Sequence, residues 1–447
     1  MNRSEEIGNQ LQIAKITPRS CFLPKPLKTA QNFALRALPN KGLTNHLCDL
    51  FCGKLRGSRV HIRMPPNYHV FICHRGPDSK QNIVSVLSGM LNSKCIKSFV
   101  DYQIKEGAHI HTEIYDAIQI SSVYIVILSS RFANSKYCRE EVVEIMKAHD
   151  ATAKPHQLRK VITVLYDMEP VVAEEDTSYG LPNWNRSAVK RKDWKKAYER
   201  LLGCAEKFEC NSKTTLLWEK LEEIVKKVQD FLDSNKLISV NCMEIGISRE
   251  CWRAPHDVFI CHCGEDTKHN VVSVLRGMLV SNGIGCFAVG FQVQDGESEL
   301  KPDTKKIIKN SKVRVVFLSP NFVHSKECLE EVVQIMDTNG TSGTSDQSKP
   351  TTIPIFYDVD PSVFRLQAKG SAYDVQTVQE GTDQEREEWS KALKSICDLK
   401  GKLCRSSKEY LWEFLHHIFK RVAECVMDIG SCNDHLISGV PYKEKID

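Results

Sequence analysis

The sequence contains no long hydrophobic run. A membrane-spanning helix needs roughly 20 consecutive apolar residues, and the 447-residue chain has no such run. Its N-terminal region also lacks the apolar core of a secretory signal peptide. These two absences predict a cytoplasmic protein, or one shared between the cytoplasm and the nucleus, that acts away from membranes.

The pattern of cysteines contains neither a disulfide framework nor a metal centre. The 18 cysteines are scattered through a long chain, whereas disulfide scaffolds concentrate them in short, loop-rich ones. The densest cluster is Cys261-His262-Cys263, which lies in an apolar run. Because neighbouring side chains on a strand point to opposite faces, these three residues cannot close on one ion. We therefore expect reduced cysteines and no bound metal.

An excess of basic residues is confined to one end of the chain. Residues 1–66 hold 11 Lys/Arg against 3 Asp/Glu, an excess larger than the whole net charge of +5, so the remainder is net acidic. Such a body lacks the basic footprint of a nucleic-acid-binding protein. The basic segment is aperiodic and is predicted to be a flexible extension. Organelle targeting is the alternative, and Glu5 and Glu6 argue against it.

What the chain does contain is a duplication. HVFICHRGPDSKQNIVSVLSGML (69–91) recurs as DVFICHCGEDTKHNVVSVLRGML (257–279), and SKYCREEVVEIM (135–146) recurs as SKECLEEVVQIM (325–336). The nearly constant offset indicates a duplicated domain. The predicted organisation is an N-terminal extension (1–66), a first domain (67–234), a linker (235–254), a second domain (255–426) and a C-terminal tail (427–447).

The two domains share one order of apolar runs. These runs are HVFIC, CIKSF, VYIVIL and VITVLY in the first domain, and DVFIC, IGCF, VRVVFL and TIPIFY in the second. Runs that are apolar throughout, rich in β-branched residues and separated by helical stretches indicate parallel strands buried on both faces. The fold class that follows is a doubly wound α/β sheet, whose ligands bind beyond the carboxyl ends of the strands.

Four motifs stand in the same order in each domain. They are VFICHRGPD, FVDYQIKEGAHI, SSRFANSKYCREEV and VLYDMEP in the first, and VFICHCGED, FAVGFQVQDG, SPNFVHSKECLEEV and IPIFYDVDPS in the second. In this order they resemble the plant Toll/interleukin receptor (TIR) domain family. The resemblance implies two flavodoxin-like domains in tandem, each a parallel five-stranded sheet flanked by helices. No glycine-rich loop ends in Lys-Ser or Lys-Thr, so no attached nucleotide-binding ATPase domain is expected. The resemblance is to a tandem TIR protein that is also without leucine-rich repeats.

The resemblance implies two alternative functions. Many plant TIR domains cleave the nicotinamide glycosidic bond of NAD+ or NADP+ when several domains associate. The chain would then be an NAD+ nucleosidase of innate immune signalling, with a dinucleotide substrate and no permanently bound cofactor. Other TIR domains act as interaction modules, and the chain would then be a non-catalytic scaffold or adaptor. In both cases the expected partners are further copies of the chain and other TIR-domain proteins.

Each domain carries two adjacent glutamates that the helical period makes unequal. At about 100° per residue, Glu141 lies beside the apolar stripe that contains Cys138 and Ile145, whereas Glu140 lies on the charged face. Ser135 is predicted to cap this helix. The inner glutamate is therefore the candidate for chemistry, and the outer one is predicted to be a surface residue.

The family resemblance agrees with this choice and extends it to the second domain. Glu141 occupies the position of the family's catalytic glutamate, and Glu331 is its equivalent in the second domain, beside Glu330, which is predicted to be a surface residue like Glu140. The resemblance therefore implies Glu141 as the catalytic residue.

Four further residues are expected around Glu141. Arg75, after the first strand, matches the arginine at the family's nucleotide site and can pair with a phosphate, and Gly76 follows it in a tight turn. Asp101 matches the first aspartate of the family's loop after the second strand. Tyr137 stands where the family has tryptophan, and an aromatic ring there can stack on a base. The resemblance implies that these four residues bind the nucleotide.

The second domain departs from this set. It carries Cys263, Val289 and Glu327 in place of the arginine, the aspartate and the tyrosine. Asp78 and Asp266 are present in both copies of the first motif and are predicted to cap the helix that follows. The second domain is therefore expected to act as a partner rather than as a catalyst.

A last departure concerns self-association. The Ser-His pair that many plant TIR domains use to associate through their first helix reads Ser85-Val86 and Ser273-Val274 here. This change argues against the usual helical interface in either domain. Tandem linkage compensates, because it holds the two domains at an effective concentration on the order of millimolar. We expect an asymmetric pair in which the second domain helps to complete the site of the first.

Overall fold

The computed structural model describes seven stretches of the chain. They are residues 68–104, 107–151, 158–168, 191–238, 256–291, 303–340 and 349–427. The predicted N-terminal extension, residues 239–254 of the predicted linker and the C-terminal tail beyond residue 427 lie outside the described residues. Within those stretches, every helix is too short or too polar to cross a membrane.

The first domain contains a parallel five-stranded sheet. Its strands are β1 (Val70–His74), β2 (Ser98–Phe99), β3 (Val123–Leu128), β4 (Lys160–Tyr166) and β5 (Lys207–Cys210). Their order across the sheet is β2-β1-β3-β4-β5, and every neighbouring pair is parallel.

The second domain repeats this sheet. Its strands are β6 (Val258–His262), β7 (Cys286–Ala288), β8 (Val313–Leu318), β9 (Thr351–Tyr357) and β10 (Lys402–Cys404). Their order is β7-β6-β8-β9-β10, again parallel throughout. The predicted pair of flavodoxin-like, doubly wound domains is confirmed.

Helices lie on both faces of each sheet. In the first domain they are α1 (Gly76–Ser79), α2 (Ser85–Ser93), α3 (Ile110–Ile120), α4 (Lys136–Asp150), α5 (Arg191–Leu202) and α6 (Leu217–Ser234). In the second they are α7 (Gly264–Thr267), α8 (Ser273–Ser281), α9 (Thr304–Asn310), α10 (Lys326–Gly340), α11 (Pro361–Leu366), α12 (Asp383–Cys397) and α13 (Leu411–Met427). Helices α2 and α6 pack on one face of the first sheet, and α4 and α5 pack on the other.

Helix α4 carries the candidate glutamate, and its start is set by a cap. The Ser135 hydroxyl accepts a hydrogen bond from the Cys138 backbone N–H at 3.3 Å, which confirms the predicted N-cap. The Cys138 thiol lies 3.4 Å from the carbonyl oxygen of His74, at the end of β1. Val142 and Ile145 are fully buried one and two turns further on. The cap and the apolar stripe together hold the first turns of α4 against the end of β1.

The two domains share one apolar core cluster. It contains buried residues of α2 and α6 from the first domain and of α8 and α13 from the second. Helix α2 packs against α13, and α6 packs against α8, so the same pair of helices from each domain meets the other in a pseudo-two-fold arrangement.

Matched hydrogen bonds repeat across this interface. The Ser85 hydroxyl donates to Glu413 Oε2 at 3.0 Å and accepts from the backbone N–H of Trp412 at 3.0 Å. Ser273 makes the same two contacts, at the same distances, with Glu219 and with the backbone N–H of Trp218. The expectation that the Ser-Val sequence removes the helical interface is therefore wrong for this pair of domains. The serine hydroxyl makes the contact, and its partners are at the start of the opposing helix.

Two glycines make room for the tryptophan rings at the interface. A Cβ atom on Gly89 would lie 2.0 Å from the Trp412 ring, and one on Gly277 would lie 2.0 Å from the Trp218 ring. Real Cβ atoms do not approach other atoms this closely, so any side chain at either position has to displace the opposing indole. These two close approaches bring the domains together.

We predict that Gly89→Ala destabilises the protein. In a free helix this change stabilises by about 1 kcal/mol, but here the added methyl group displaces Trp412 and is expected to cost about 1–3 kcal/mol. Gly203→Ala is the control, because a Cβ atom there meets its nearest neighbour at an ordinary 3.4 Å. Urea unfolding of both variants measures the difference. If Gly89→Ala is as stable as Gly203→Ala, Trp412 does not pack on Gly89 in solution.

Candidate functional site

The candidate site lies at the carboxyl ends of β1, β2 and β3. Strand β1 lies between β2 and β3 in the sheet. The connection from β1 to β2 therefore runs in one direction across the sheet, and the connection from β2 to β3 runs back past β1 in the other. Doubly wound sheets bind ligands at such a switch point. The segments that meet here are the turn after β1, the turn after β2 and the β3–α4 connection with the first turns of α4.

Glu141 faces the sheet from α4. Burial raises the pKa of Glu141 to about 8, against an ordinary value of 4.5, while a hydrogen bond from the Cys73 thiol of β1 opposes the rise. The negative charges of Asp101 and Glu140 raise this pKa further. A carboxyl group in this position is costly to ionise, which is unusual for a glutamate on a surface helix.

Cys73 is a neighbour of Glu141 that sequence reasoning did not single out. It is fully buried on β1, and burial followed by the charge of Glu141 raises the pKa of its thiol. The thiol is thus a neutral hydrogen-bond donor to the carboxyl group. Its signal in the sequence was only its position at the end of an apolar strand, which is equally typical of a packing residue.

Asp101 is held by a second residue that was not predicted, His74. The Nε2 atom of His74 lies 3.1 Å from Asp101 Oδ1, and its Nδ1 atom lies 3.1 Å from the Ser79 hydroxyl. Partial burial raises the pKa of Asp101, but the hydrogen bond and charge of His74, with help from Lys80, outweigh it, and the net shift is downward. The buried imidazole therefore holds the turn after β2 against the end of β1, near Glu141.

Arg75 and Arg131 converge on a single carboxylate. Arg75 Nη1 donates to Asp78 Oδ1 at 2.6 Å, and Arg131 Nη2 donates to the same oxygen at 2.8 Å. The Ser129 hydroxyl donates to Asp78 Oδ2 at 2.7 Å. Arg131 was not predicted from the sequence. Its position in SSRFANSK aligns with that of Asn321 in the second domain.

The predicted capping role of Asp78 and Asp266 is wrong. Arg75 and Cys263 are the N-cap residues of α1 and α7, and neither helix has a side-chain cap. Asp266 instead accepts two hydrogen bonds of 2.8 Å from Asn321, one from its backbone N–H and one from its side chain. Each aspartate lies inside the first turn of its short helix, α1 or α7. Asp78 accepts hydrogen bonds from Ser129 and Arg131 in the β3–α4 segment, and Asp266 accepts them from Asn321 in the equivalent segment of the second domain.

Residues 67–241 and 255–439 each match the family model described as the TIR domain. The two ranges together cover most of the chain. The chain belongs to the TIR domain family. The resemblance drawn from the motifs is confirmed, and the two matched ranges agree with a tandem TIR arrangement.

Several proteins similar to these TIR domains are plant disease-resistance proteins. The chain is 30% identical over 179 residues to disease resistance protein RPV1 of Vitis rotundifolia, a match that covers 39% of the chain and 12% of that protein. It is 34% identical over 152 residues to TMV resistance protein N of Nicotiana glutinosa, covering 33% of the chain and 13% of that protein. The chain thus spans about an eighth of the length of these relatives.

One solved structure is also similar. It is described as the TIR domains of the activated Roq1 resistosome directly recognizing the pathogen effector XopQ. The match has 24% sequence identity and a TM-score of 0.31, and it covers 36% of this chain and 99% of that chain.

Tyr137 and Gly76 lie at the mouth of the site in the first TIR domain. The Tyr137 side chain is 52% exposed, and its ring lies 5.6 Å from that of His111 and 5.4 Å from Lys136 Nζ. It precedes Glu141 by four residues, so the two side chains share one side of α4. Gly76 is the first residue of α1, and a Cβ atom on it would meet no described atom within 4 Å. The structure thus places Glu141, Asp101, Arg75, Gly76 and Tyr137 at one edge of the sheet.

The second TIR domain keeps the buried glutamate and loses its companions. Burial raises the pKa of Glu331 to about 7, and the Cys261 thiol donates to it as Cys73 does to Glu141. His262 contacts the backbone carbonyl of Val289 at 3.2 Å, because no aspartate stands there. Burial lowers the pKa of His262 to about 4. Within the described residues of both TIR domains, no group of His, Cys, Asp and Glu side chains is placed to hold a metal ion.

We predict that Glu141→Gln changes stability in a pH-dependent way. Between pH 4.5 and about 8 the folded chain keeps a proton on Glu141 that the unfolded chain releases, so this residue's contribution to stability falls as the pH rises and is lowest above pH 8. The substitution is expected to leave the free energy of unfolding unchanged near pH 4 and to raise it by roughly 1–3 kcal/mol near pH 9.

Urea unfolding at the two pH values measures this effect. Glu330→Gln is the matched control, because Glu330 is exposed on α10 and lies 3.7 Å from Lys326 in an ion pair. The same pH response in both variants would contradict the buried position of Glu141.

Proposed function

We propose that the first TIR domain is an NAD(P)+ nucleosidase of plant innate immune signalling, with Glu141 as its catalytic residue. The observation that supports this most is that Glu141, Arg75 and Asp101 lie together at the switch point of a doubly wound sheet, a set of charges that the second domain does not have. The relatives of the chain are disease-resistance proteins, which supports a role in defence. Action in the cytoplasm, or in the cytoplasm and the nucleus, is part of the proposal.

One carboxylate is chemically sufficient for this reaction. Ordinary glycosides need one carboxylic acid to protonate the leaving group and a second carboxylate to stabilise the cation or activate the water. Nicotinamide leaves NAD+ as a neutral molecule, so no proton donor is required. The enzyme has to orient the ribose and stabilise an oxocarbenium-like transition state, which one well-placed negative charge does.

The environment of Glu141 suits that task. Its buried position disfavours the carboxylate, so ionisation, with release of the proton to solvent, becomes more favourable when a positive charge lies beside it. The nicotinamide ring of the substrate is a cation, and its positive charge moves to the oxocarbenium-like ribose as the glycosidic bond breaks and the electron pair returns to the ring nitrogen. A carboxyl group that ionises in response to the substrate stabilises positive charge where it develops, and burial makes this interaction stronger than it would be in bulk water.

The remaining residues of the site have binding roles in this proposal. Arg75 pairs with a phosphate of the dinucleotide, Tyr137 offers an exposed ring for stacking on a base, and Asp101 orders the loop that closes over the ligand. Gly76 leaves the surface of the turn open for the ligand. No permanently bound cofactor is needed, because NAD+ or NADP+ is the substrate.

The second TIR domain is proposed to complete the site of the first. Its Tyr410 ring packs against Tyr102, the residue after Asp101, with 4.9 Å between centroids. Lys80 Nζ lies 5.2 Å from the Tyr102 ring and 5.6 Å from the Tyr410 ring. The turn that carries Asp101 is therefore held by His74 on one side and by the second domain on the other.

A non-catalytic scaffold is the second candidate function. It is favoured by the replacement of the family's tryptophan by Tyr137 and by the loss of the arginine and the aspartate from the second domain. In that role the tandem chain binds other TIR-domain proteins, or further copies of itself, without turnover. The two candidates differ in whether Glu141 is needed for the release of nicotinamide.

We predict that full-length protein, concentrated enough to self-associate, releases nicotinamide from NAD+. Glu141→Ala is expected to abolish this activity, because the charge that stabilises the transition state is gone, while Glu331→Ala leaves most of it. A chromatographic assay of nicotinamide on the wild type and both variants is the measurement. Equal activity in all three excludes the role of Glu141, and no activity at any concentration or under crowding favours the scaffold.

We also predict that activity depends on the ring of Tyr410. Tyr410→Leu gives this position the residue that the first domain has at the equivalent place, Leu216, and removes the contact with Tyr102. An aromatic pair contributes about 0.5–1.5 kcal/mol, so nicotinamide release is expected to fall roughly 3- to 10-fold. Tyr410→Phe keeps the ring and is the control. Wild-type activity in Tyr410→Leu would show that the Asp101 turn is ordered without the second domain.

A further inference from the structure

The Arg75–Asp78–Arg131 cluster has more positive charge than its carboxylate balances. The Asp78 side chain is only 8% exposed, and both of its oxygens accept hydrogen bonds. Two guanidinium groups share its one negative charge, so the cluster carries one positive charge in excess. A salt bridge whose only role was structural would need one arginine.

The second TIR domain contains the same turn with the opposite balance. Cys263 and Asn321 replace the two arginines, and Asp266 is satisfied by the uncharged Asn321. That cluster carries one negative charge in excess. The aspartate thus makes its hydrogen bonds to the β3–α4 segment, or to the equivalent segment of the second domain, whether the cluster is net positive or net negative. The turn therefore forms without the arginines.

Hydrogen bonds to Asp78 restrict the side chains of both arginines. Each guanidinium has five N–H donors, and the described contacts of Asp78 use one from each arginine. The Arg131 side chain is 63% exposed and that of Arg75 is 22% exposed, so further donors of both face solvent. A pair of guanidinium groups fixed in this way loses little side-chain entropy when an oxyanion binds.

The cluster lies close enough to Glu141 to share one ligand with it. Arg75 is near enough to Cys138 for its charge to act on the thiol, and Cys138 is one turn before Glu141 on α4. Arg131 precedes the 3-10 turn Phe132–Asn134, which leads directly into α4. Both arginines therefore lie at the same edge of the sheet as Glu141.

We propose that Arg131 binds, together with Arg75, a phosphate group of the dinucleotide, and that this contact confines nucleotide binding to the first TIR domain. The proposal rests on the proposed function for the identity of the ligand. The shared chemistry is a phosphate oxyanion, which belongs either to the pyrophosphate of an ADP-ribosyl group or to a 2′-phosphate. Arg131 is thus a determinant of ligand specificity, separate from the catalytic Glu141.

Calorimetric titration of the full-length protein with ADP-ribose and with adenosine tests this role. Arg131→Asn introduces the residue that the second domain already has at this position, so it is expected to fold. Loss of one charge-assisted contact is expected to weaken ADP-ribose binding roughly 10- to 100-fold. Adenosine has no phosphate, so its affinity is expected to stay the same. Arg131→Gln is a second variant of similar length with the same expected result.

The matched control is Arg421→Asn. The Arg421 side chain is 59% exposed and pairs with Glu424 at 3.2 Å, much as Arg131 pairs with Asp78, but it lies on α13 of the second domain. It is expected to leave both affinities unchanged. A third titration, with 2′-phospho-ADP-ribose, distinguishes the sources of the phosphate, because a loss seen with both ribosyl ligands assigns the pyrophosphate and a loss confined to the third assigns the 2′-phosphate.

Three results would overturn the proposal. They are wild-type affinity of both Arg131 variants for both ribosyl ligands, an equal loss of affinity for adenosine, and failure of the wild type to bind either ribosyl ligand. Titration does not require turnover, so it is independent of the nicotinamide assay. A chain that binds ADP-ribose through Arg131 and releases no nicotinamide would retain this inference and lose the proposed catalysis.

Discussion

The burial of both faces of the parallel sheet is the constraint on which the rest of the structure depends. All six residues of β3 are buried, so a charged group without a partner in the interior of this strand would be costly. The candidate charged groups of the site accordingly lie where strands end. At the end of β1 the strand order reverses, so three turns and one helix start meet around a shared cleft. This geometry makes Glu141 costly to ionise, because α4 buries its carboxyl group against the Cys73 thiol.

The same constraint explains how the two domains pair. Helices α2 and α6 bury one side each on their own sheet and another side on the opposing domain, so a single apolar core runs through both. Only small residues allow this approach, which is why Gly89 and Gly277 lie under the indole rings. The serine hydroxyl groups then align the helix ends. The same packing of α2 against α13 places Tyr410 beside Tyr102 in the turn that carries Asp101. The pairing of the domains and the geometry of the site are therefore linked.

Local signals in the sequence predicted what local physics decides. Apolar runs predicted the strands, the N-cap serine predicted the start of α4, and the helical period distinguished Glu141 from Glu140. The contacts that tune the site were not predictable in this way, because they join distant segments. Asp78 and Arg131 are 53 positions apart, and His74 and Asp101 are 27 apart. For the same reason the capping role assigned to Asp78 failed, since two of its three donors, Ser129 and Arg131, come from the end of β3.

Comparison of the two domains distinguishes the residues that stabilise the fold from those that equip the first domain to bind a ligand. Both copies keep the cap serine, the buried glutamate and its cysteine, because these groups belong to the packing of α4 on the first strand of each sheet. The arginines, the aspartate and the aromatic ring project from turns or from the exposed start of the helix, where replacement costs the fold little. Glu331 therefore retains a raised pKa without the charges that would bring a phosphate or a cation to it. A raised carboxyl pKa in this fold is a consequence of packing, and the distinguishing feature of the first domain is the set of charges around the glutamate.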